Sequence, residues 1–427
     1  MGANHSHDPH ARTTPGSPAA RRVAIGVIIP VALATLIALI WLWPQQRPAN
    51  DQATGPQRIT GTIIAITLTP CPEPPPEEGT GSHAPLDPAT CGTATIELTS
   101  GAESGKYVTS DLPSGPGAPV FAVGDDVVVN HTPDSGLDAP SYQLSDHDRS
   151  SPLWIVLAAF ALAVIAFGRW RGLTALLGLS VTFVLLLTFI LPAILAGEPP
   201  LLVAIVGSAA IMIVVLFLTH GFTLTIAMAV LGTLVSLTLT GLLSYLAIGF
   251  ARLSGITDDS SFLLGMSYQI NAEGLLLASI IIGSLGVLDD VTVTQAATVA
   301  ELARANPSYG FGRLYRAAGR IGRAHIASVI NTIVLAYAGA SLPLLLLIGI
   351  GGQPIDEVVA NPMFAQEIVR AVVGTLGLIA AVPVTTALAA LLWTRRPAAD
   401  GDTPPPPHRA GRPERPAADP GSAPPWS

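Results

Sequence analysis

Charged residues are scarce in this 427-residue sequence, and lysine is almost missing. Only 12% of the residues are Asp, Glu, Lys or Arg, and Lys106 is the single lysine, whereas charged residues make up roughly a quarter of ordinary soluble domains. The net charge of −8 is not concentrated in an acidic tail. No arginine-rich stripe interleaved with aromatic residues is present, so we expect no nucleic acid partner.

Several signatures of catalysis are missing as well. The sequence has no phosphate-binding loop that ends in Gly-Lys-Ser/Thr, which argues against ATP hydrolysis by this chain. It also has no Gly-x-Ser-x-Gly nucleophile elbow. Its only two cysteines fall short of a zinc site, which takes four ligands. We therefore expect no enzyme activity, no cofactor and no metal site.

Long apolar runs dominate what is present. Half of the residues are hydrophobic, and a helix needs about 20 apolar residues to cross the roughly 30 Å of hydrocarbon in a bilayer. The sequence therefore predicts a mainly α protein, a polytopic helical membrane bundle. The eight predicted spans are 23–43, 152–168, 172–195, 200–219, 222–250, 273–294, 325–349 and 367–393.

The placement of arginine predicts the orientation of this bundle. Cytoplasmic loops retain Lys and Arg, and with both termini in the cytoplasm the inside segments hold 15 of the 21 positive charges. We expect a multi-pass protein in the lipid bilayer of the bacterial plasma membrane. Arg21 and Arg22 before the first run also suit a secretory signal peptide, but the length of the run and its closing Trp41 and Trp43 favour an uncleaved anchor.

A long polar segment, 44–151, separates the first two spans. Three short runs with β character lie in it between turn-forming residues: RITGTIIAITLT, TATIELTS and PVFAVGDDVVVNH. They predict a small extracytoplasmic all-β domain inserted between spans one and two. Cys71 and Cys91 flank a Pro/Glu/Gly-rich insertion in this segment, and an oxidising exterior favours a disulfide between them over two unpaired thiols.

The two ends of the chain are low in complexity and poor in apolar residues. Such segments cannot bury a core, so we expect a disordered cytoplasmic N-tail over 1–22 and a disordered cytoplasmic C-tail over 394–427. The N-tail contains His5, His7 and His10, which we interpret as an unstructured cluster and not as a metal site.

The sixth span is short for a membrane and ends in two adjacent aspartates. Its uninterrupted apolar part, 274–288, has 15 residues, which cover about 22 Å as a helix. Crossing the membrane therefore brings polar groups to membrane depth, either at the outer end of the span or at Asp289 and Asp290. Short hydrophobic segments interrupted by glycine are also typical of the discontinuous helices at transporter sites.

Helical periodicity separates the two aspartates. If the helix continues, Asp290 shares a small or polar face with residues spaced by three and four, whereas Asp289 lies about 100° away. The other members of that face are Gly283, Gly286, Thr294, Ala297 and Glu301. We expect this face to pack against a neighbouring helix, so that Asp290 is buried and Asp289 is solvated. In the alternative, both carboxylates are hydrated among the lipid headgroups.

Other polar residues are predicted at the same depth as this pair. His220 lies between the fourth and fifth spans, and His325 begins the seventh; a histidine beside a carboxylate suits proton-coupled work. The seventh span continues with Ser328, Asn331 and Thr332. Together with the aspartates these residues form a candidate transport cluster. The alternative is hydrogen bonding between helices that only holds the bundle together.

At these residues the sequence resembles a known family. GVLDDVTVTQAATVAELARANP followed by GRIGRAHIASVINTIVLAYAGASLPLLLL is similar to the actinobacterial branch of the YibE/F-like family of bacterial integral membrane proteins. The resemblance covers about 152–393, and FAVGDDVVV is similar to that family's usual insertion after the first span. It implies a membrane protein of the kind described as a permease, and it assigns no catalytic role to any residue.

Three functions of different classes follow from these patterns, in this order of preference. The first is a permease or channel for an unidentified small polar or ionic solute, in which Asp290→Asn abolishes transport. The second is a binding or scaffold component whose outer β domain captures an envelope ligand or partner, so that a version without residues 51–148 loses all activity. A homo-oligomer or an envelope partner is the protein partner that we expect. The third is an intramembrane aspartyl hydrolase, which requires two facing carboxylates, whereas adjacent residues on one helix diverge.

Overall fold

The computed structural model describes residues 18–44, 57–71, 87–115, 117–132, 141–256, 266, 270–351 and 354–394. Both predicted disordered tails, with the three N-terminal histidines, lie outside this part of the chain, except for residues 18–22 and 394, which are helical. Those residues correct the predicted boundaries. The first helix begins at Pro18, since the fixed φ of proline suits a first helical position, and the last helix ends at Thr394.

The segment after the first helix folds into one five-stranded antiparallel sheet, which confirms the predicted β domain. Its strands are β1 (Gln57–Leu68), β2 (Gly92–Leu98), β3 (Tyr107–Asp111), β4 (Asp126–His131) and β5 (Tyr142–His147). Their order in the sheet is β3-β2-β1-β4-β5. Cys71 and Cys91 form a disulfide, which ties the segment after β1 to the start of β2.

The sheet curls around one apolar core. Alternate residues of a strand point to the same side, and this side is lined by Ile63 of β1, Ile96 of β2 and Val129 of β4, all of them buried. The two edge strands also approach each other, because the backbone N–H of Leu144 donates a hydrogen bond to Ser110 Oγ at 2.7 Å. The result is a half-closed barrel.

The rest of the described chain is mostly helical. The helices are α1 (Pro18–Trp41), α2 (Ser150–Leu185), α3 (Leu191–Leu195), α4 (Pro200–His220), α5 (Leu224–Ala251), α6 (Ala272–Ala305), α7 (Phe311–Ala340), α8 (Leu342–Gly351), α9 (Ile355–Ala360) and α10 (Pro362–Thr394), with a π-helical segment, Leu186–Ile190, between α2 and α3. Six helical stretches of the described chain are long and apolar enough to cross a membrane. The predicted helical bundle is confirmed, and the number of eight spans stays a prediction.

Two of the predicted spans, 152–168 and 172–195, fall in one helical run from Ser150 to Leu195. The run is broken at Arg169, whose φ of 50° and ψ of −125° are not helical. A Cβ at Gly172 would lie 2.3 Å from the carbonyl oxygen of Val164, although eight residues of unbroken helix would separate the two by about 12 Å. The chain therefore turns back at Arg169, and Gly172 lies against Val164 and Ile165 at the turn.

The sixth and seventh predicted spans have different limits in the structure. The sixth, 273–294, begins at the N-cap Asn271, whose Oδ1 accepts a hydrogen bond from the Gly274 backbone at 2.8 Å, and it continues unbroken to Ala305. The seventh, 325–349, begins earlier, at Phe311, and is interrupted after Ala340, because Pro343 cannot donate a backbone hydrogen bond.

The helices α5, α6 and α10 make the most extensive contacts and form the centre of the bundle. α5 presents to this centre the buried hydroxyls of Thr233, Ser236, Thr240 and Ser244, which share one face through spacings of three and four. Each hydroxyl donates to the backbone carbonyl four residues earlier in its own helix. Because each hydroxyl already has a hydrogen bond within its own helix, it needs no water molecule as a partner, and neighbouring helices can pack closely against it.

Candidate functional site

Asp290 lies on the exposed side of α6, contrary to the prediction. The whole predicted face is exposed, from Gly283 through Asp290 to Glu301. α6 packs through its other sides, which carry larger residues such as Leu288 and Val291, both buried. Bulky apolar side chains remove more surface from their surroundings than glycine and alanine do, so the small face from Gly286 to Glu301 is left outside the bundle.

Asp289 is the more buried carboxylate, which reverses the predicted roles of the pair. Its side chain is half-buried, and Oδ1 is enclosed without a hydrogen-bond partner among the described residues. Asp289 lies about 26 Å along α6 from Ala272, near the full thickness of the hydrocarbon layer. Enclosing a carboxylate oxygen without a donor is unfavourable, so Asp289 is the stronger functional candidate of the two.

His220 lies at the same end of the bundle as the aspartates. α4 and α6 run side by side, because Pro200 and Gly274 are neighbours where the two helices begin, and His220 ends α4 within electrostatic range of Asp290. Arg171, just after the turn in α2, also acts on His220. The structure therefore brings His220 and Asp290 to one level, and it adds an arginine that the sequence did not nominate.

The predicted polar residues of α7 are not gathered inside the bundle. Ser328, Asn331 and Thr332 are exposed, and His325 is half-buried. α7 packs through a different side, where Ile326 is buried. The apolar side of the helix thus makes the contact with its neighbours, and the role of these residues in a transport cluster stays a prediction.

A second pair of charged residues lies within the bundle, on α10. Arg370 Nη1 is 3.1 Å from Glu367 Oε1, and the two side chains are only 27% and 29% exposed. Arg370 Nη2 donates to Ser279 Oγ of α6 at 3.4 Å, and Tyr337 of α7 lies within electrostatic range of both charges. Arg370 is about 12 Å from Pro362 along α10, which is membrane depth if α10 begins at the surface of the bilayer.

The sequence carries a signal for this pair that span prediction alone overlooks. The predicted span 367–393 contains both charges, and an acid and a base three residues apart lie on one face of a helix. The orientation rule treats Arg370 only as a positive charge near the outer end of a span, and it takes no account of Glu367 three residues earlier. Ionisable side chains inside a membrane bundle are expensive and mark candidate functional sites.

A cavity of about 310 Å³ lies between α6, α7 and α10. Its wall is mostly apolar, with side chains such as Val287, Ile333 and Leu378, and it carries the hydroxyls of Ser284 and Tyr337. Since Tyr337 also lies within electrostatic range of Glu367–Arg370, the cavity and the ion pair belong to one region of the bundle.

A larger cavity, of about 490 Å³, lies at the end of the bundle where α4 and α6 begin. Glu198 and Glu273 are its charged lining residues, and Tyr245 and Asn271 add polar groups. It is formed by helix ends and connections and not by the interior of the bundle. In the described part of the chain, no group of three His, Cys, Asp or Glu side chains could hold a metal ion.

The helical part of the chain that holds these groups matches a known protein family. The model of the family described as YibE/F-like protein matches residues 156–395, which is more than half of the chain. The chain belongs to the YibE/F-like family. The match runs from α2 to α10 and leaves the β domain outside it. No curated protein and no solved structure matches this YibE/F-like protein.

Proposed function

We propose that this YibE/F-like protein is a permease or channel for a small polar or ionic solute. The observation that carries the proposal is Asp289, a half-buried carboxylate on a long apolar helix whose Oδ1 has no hydrogen-bond partner among the described residues. A purely structural carboxylate at this depth would be expected to have a donor, since an unpaired one is destabilising. Asp289 instead keeps an acceptor free for a proton or a passing cation.

Two further features support transport over a passive anchor. The Glu367–Arg370 ion pair and the cavity of about 310 Å³ lie in the same bundle, and polar sites at membrane depth usually belong to substrate or ion pathways. The 34-residue length of α6 makes the helix about 51 Å long. It therefore connects the ion-pair region with the aspartates along one rigid element.

The test is solute uptake into proteoliposomes, with the protein reconstituted as wild type, Asp289→Asn and Asp290→Asn. A screen over common ions and small metabolites identifies the solute with the wild type. We expect Asp289→Asn to lower its uptake by about tenfold or more, because the amide cannot carry a proton or a full negative charge. Asp290→Asn is the matched control, since the same chemical change is made at an exposed neighbour.

Membrane insertion and the size-exclusion profile must be the same for all three proteins. Wild-type uptake in Asp289→Asn would remove this residue from the mechanism, and loss of uptake in Asp290→Asn alone would restore the role first predicted for Asp290. If no solute in the screen accumulates above the level of empty liposomes, the transport proposal fails.

A further inference from the structure

The guanidinium of Arg370 has hydrogen-bonding capacity that the described residues leave unused. Glu367 lies 3.1 Å from Nη1, and the bond from Nη2 to Ser279 Oγ is long, at 3.4 Å. Nε is buried and has no acceptor among the described residues. An arginine carries five N–H donors in a planar fork, and a buried donor without an acceptor is destabilising. One more acceptor would therefore be favourable at this position.

The cavity between α6, α7 and α10 begins at Gly374, about one helical turn along α10 from Arg370, which is not itself a lining residue. Gly374 and Leu378 follow Arg370 at spacings of four and eight, which place them on the same side of α10, and both line the cavity. A Cβ at Gly374 would meet nothing within 4 Å, so the wall just below Arg370 is open. Tyr337 lines the cavity and is within electrostatic range of Arg370.

The chemistry of the wall limits what the cavity can hold. No carboxylate is among its lining residues, and side chains such as Val287, Ile333 and Ala336 make it largely apolar. Glu367, about two helical turns along α10 from Gly374, is already paired with Arg370. A cation would find no unpaired negative charge here, whereas a carboxylate suits the planar fork of an arginine.

We propose that this cavity is a binding site for a small organic acid anion, with its carboxylate on Arg370 and its apolar body against the wall formed by α6, α7 and α10. Glu367 competes with the ligand for the same guanidinium. The inference deepens the proposed transport function by naming a substrate class, but binding is measured without transport.

The test is ligand protection of the purified full-length protein against thermal unfolding in detergent. The probes are butyrate, butyramide and butylamine, which share one carbon skeleton and differ in charge. Only butyrate should raise the melting temperature, since a ligand that binds the folded state stabilises it. Arg370→Gln should weaken butyrate binding by about tenfold or more. Glu367→Gln should strengthen it, because the competing carboxylate is gone.

Glu301→Gln is the matched control, because Glu301 forms an ion pair of the same spacing with Arg304 on the exposed side of α6, and it should bind butyrate like the wild type. If Arg370→Gln does not fold, Arg370→Lys keeps the charge without the fork, and it should still bind butyrate more weakly than the wild type.

The two substitutions are expected to act in opposite directions, which a merely structural ion pair would not produce. Equal loss of binding in both would overturn the proposal, as would protection by butylamine that Glu367→Gln abolishes, the pattern of a cation site. Protection by micellar palmitate and not by butyrate would assign the site to a lipid and also overturn it. Uptake of an uncharged solute without any butyrate binding would leave transport standing and reject this inference alone.

Discussion

At the scale of single residues, Gly377 and Thr240 form a tight contact between α10 and α5. A Cβ at Gly377 would lie only 2.0 Å from Thr240 Oγ1. The threonine cannot easily move away, because its hydroxyl is buried and donates to the Ser236 carbonyl at 2.8 Å. Small residues at such contacts allow two membrane helices to approach closely. Any side chain at position 377 would therefore push α10 away from α5.

We expect Gly377→Ala to lower the free energy of unfolding by about 1–3 kcal/mol, the range for overpacking of a dense core. Thermal unfolding in detergent provides the measurement. Gly286→Ala is the matched control, because a Cβ at Gly286 meets nothing within 4 Å. Since alanine also favours a helix over glycine, the melting temperature of this variant should equal or exceed that of the wild type. If both variants unfold alike, the contact does not limit the packing.

The aspartate pair illustrates what residue patterns predict and what they leave out. Spacings of three and four correctly place Asp290 with Gly283 and Glu301 on one face of a continuous helix, because α6 is unbroken over Ala272–Ala305. The pattern cannot decide which face packs. Close approach of small residues favours one side and burial of bulky ones, such as Leu288, favours another, and only the shape of the neighbouring helices selects between them.

At the scale of elements, Gln295 joins three helices. Its buried Nε2 donates to the carbonyl of Ala318 on α7 at 3.1 Å and to Thr386 Oγ1 on α10 at 2.6 Å. Its side chain also fits against Gly322 of α7, where a Cβ would lie 2.6 Å from Gln295 Oε1. The amide therefore fixes α7 against α6 and α10 at the end of the bundle that also holds the aspartates.

We expect Gln295→Leu to lower the free energy of unfolding by about 1 kcal/mol, since polar contacts between membrane helices average about 0.6 kcal/mol each. The loss stays modest because the Thr386 hydroxyl keeps its own bond to the Val382 carbonyl at 2.6 Å. Thermal unfolding and proteolysis in the 306–310 connection measure the effect on α7. Thr294→Val, a neutral change on the exposed face of α6, should alter neither, and a comparable loss there would refute this link.

The helices themselves follow from the lengths of the apolar runs, but their ends and breaks depend on single residues. The arginines at 169 and 171 already divide two runs in the sequence, and the structure turns the chain back at Arg169. The ends of α7 could not be read from hydropathy, because its first half is rich in arginine and still packs through buried residues such as Leu314 and Ala318. The Glu367–Arg370 pair is likewise invisible to hydropathy, because the spacing of three that brings the two charges together does not alter the apolar character of the run.

At the scale of the whole molecule, we predict that the β domain and the helical bundle lie in two different environments. The disulfide between Cys71 and Cys91 is typical of an oxidising compartment, which favours an extracytoplasmic β domain. Arginine placement independently favours cytoplasmic termini. If the turn at Arg169 is a reversal inside the cell, we predict eight crossings of the membrane, with both ends of the chain on the same side.

Reporter fusions test this topology directly. We expect alkaline phosphatase fused after Asp148 to be active, because it folds with disulfides outside the cytoplasm. We expect a fluorescent protein that matures only in the cytoplasm to fluoresce when it is fused after Arg171 or after Ser427.

The fusions after Arg171 and after Ser427 together decide the number of spans. If the helical run from Ser150 to Leu195 crossed the membrane once, the number of crossings would be odd, and a cytoplasmic N-terminus would place the fusion at Ser427 outside and dark. A bright fusion at Ser427 together with a dark one at Arg171 would place the reversal elsewhere in the chain. An inactive phosphatase after Asp148 would put the β domain in the cytoplasm and invert the orientation that the arginines predict.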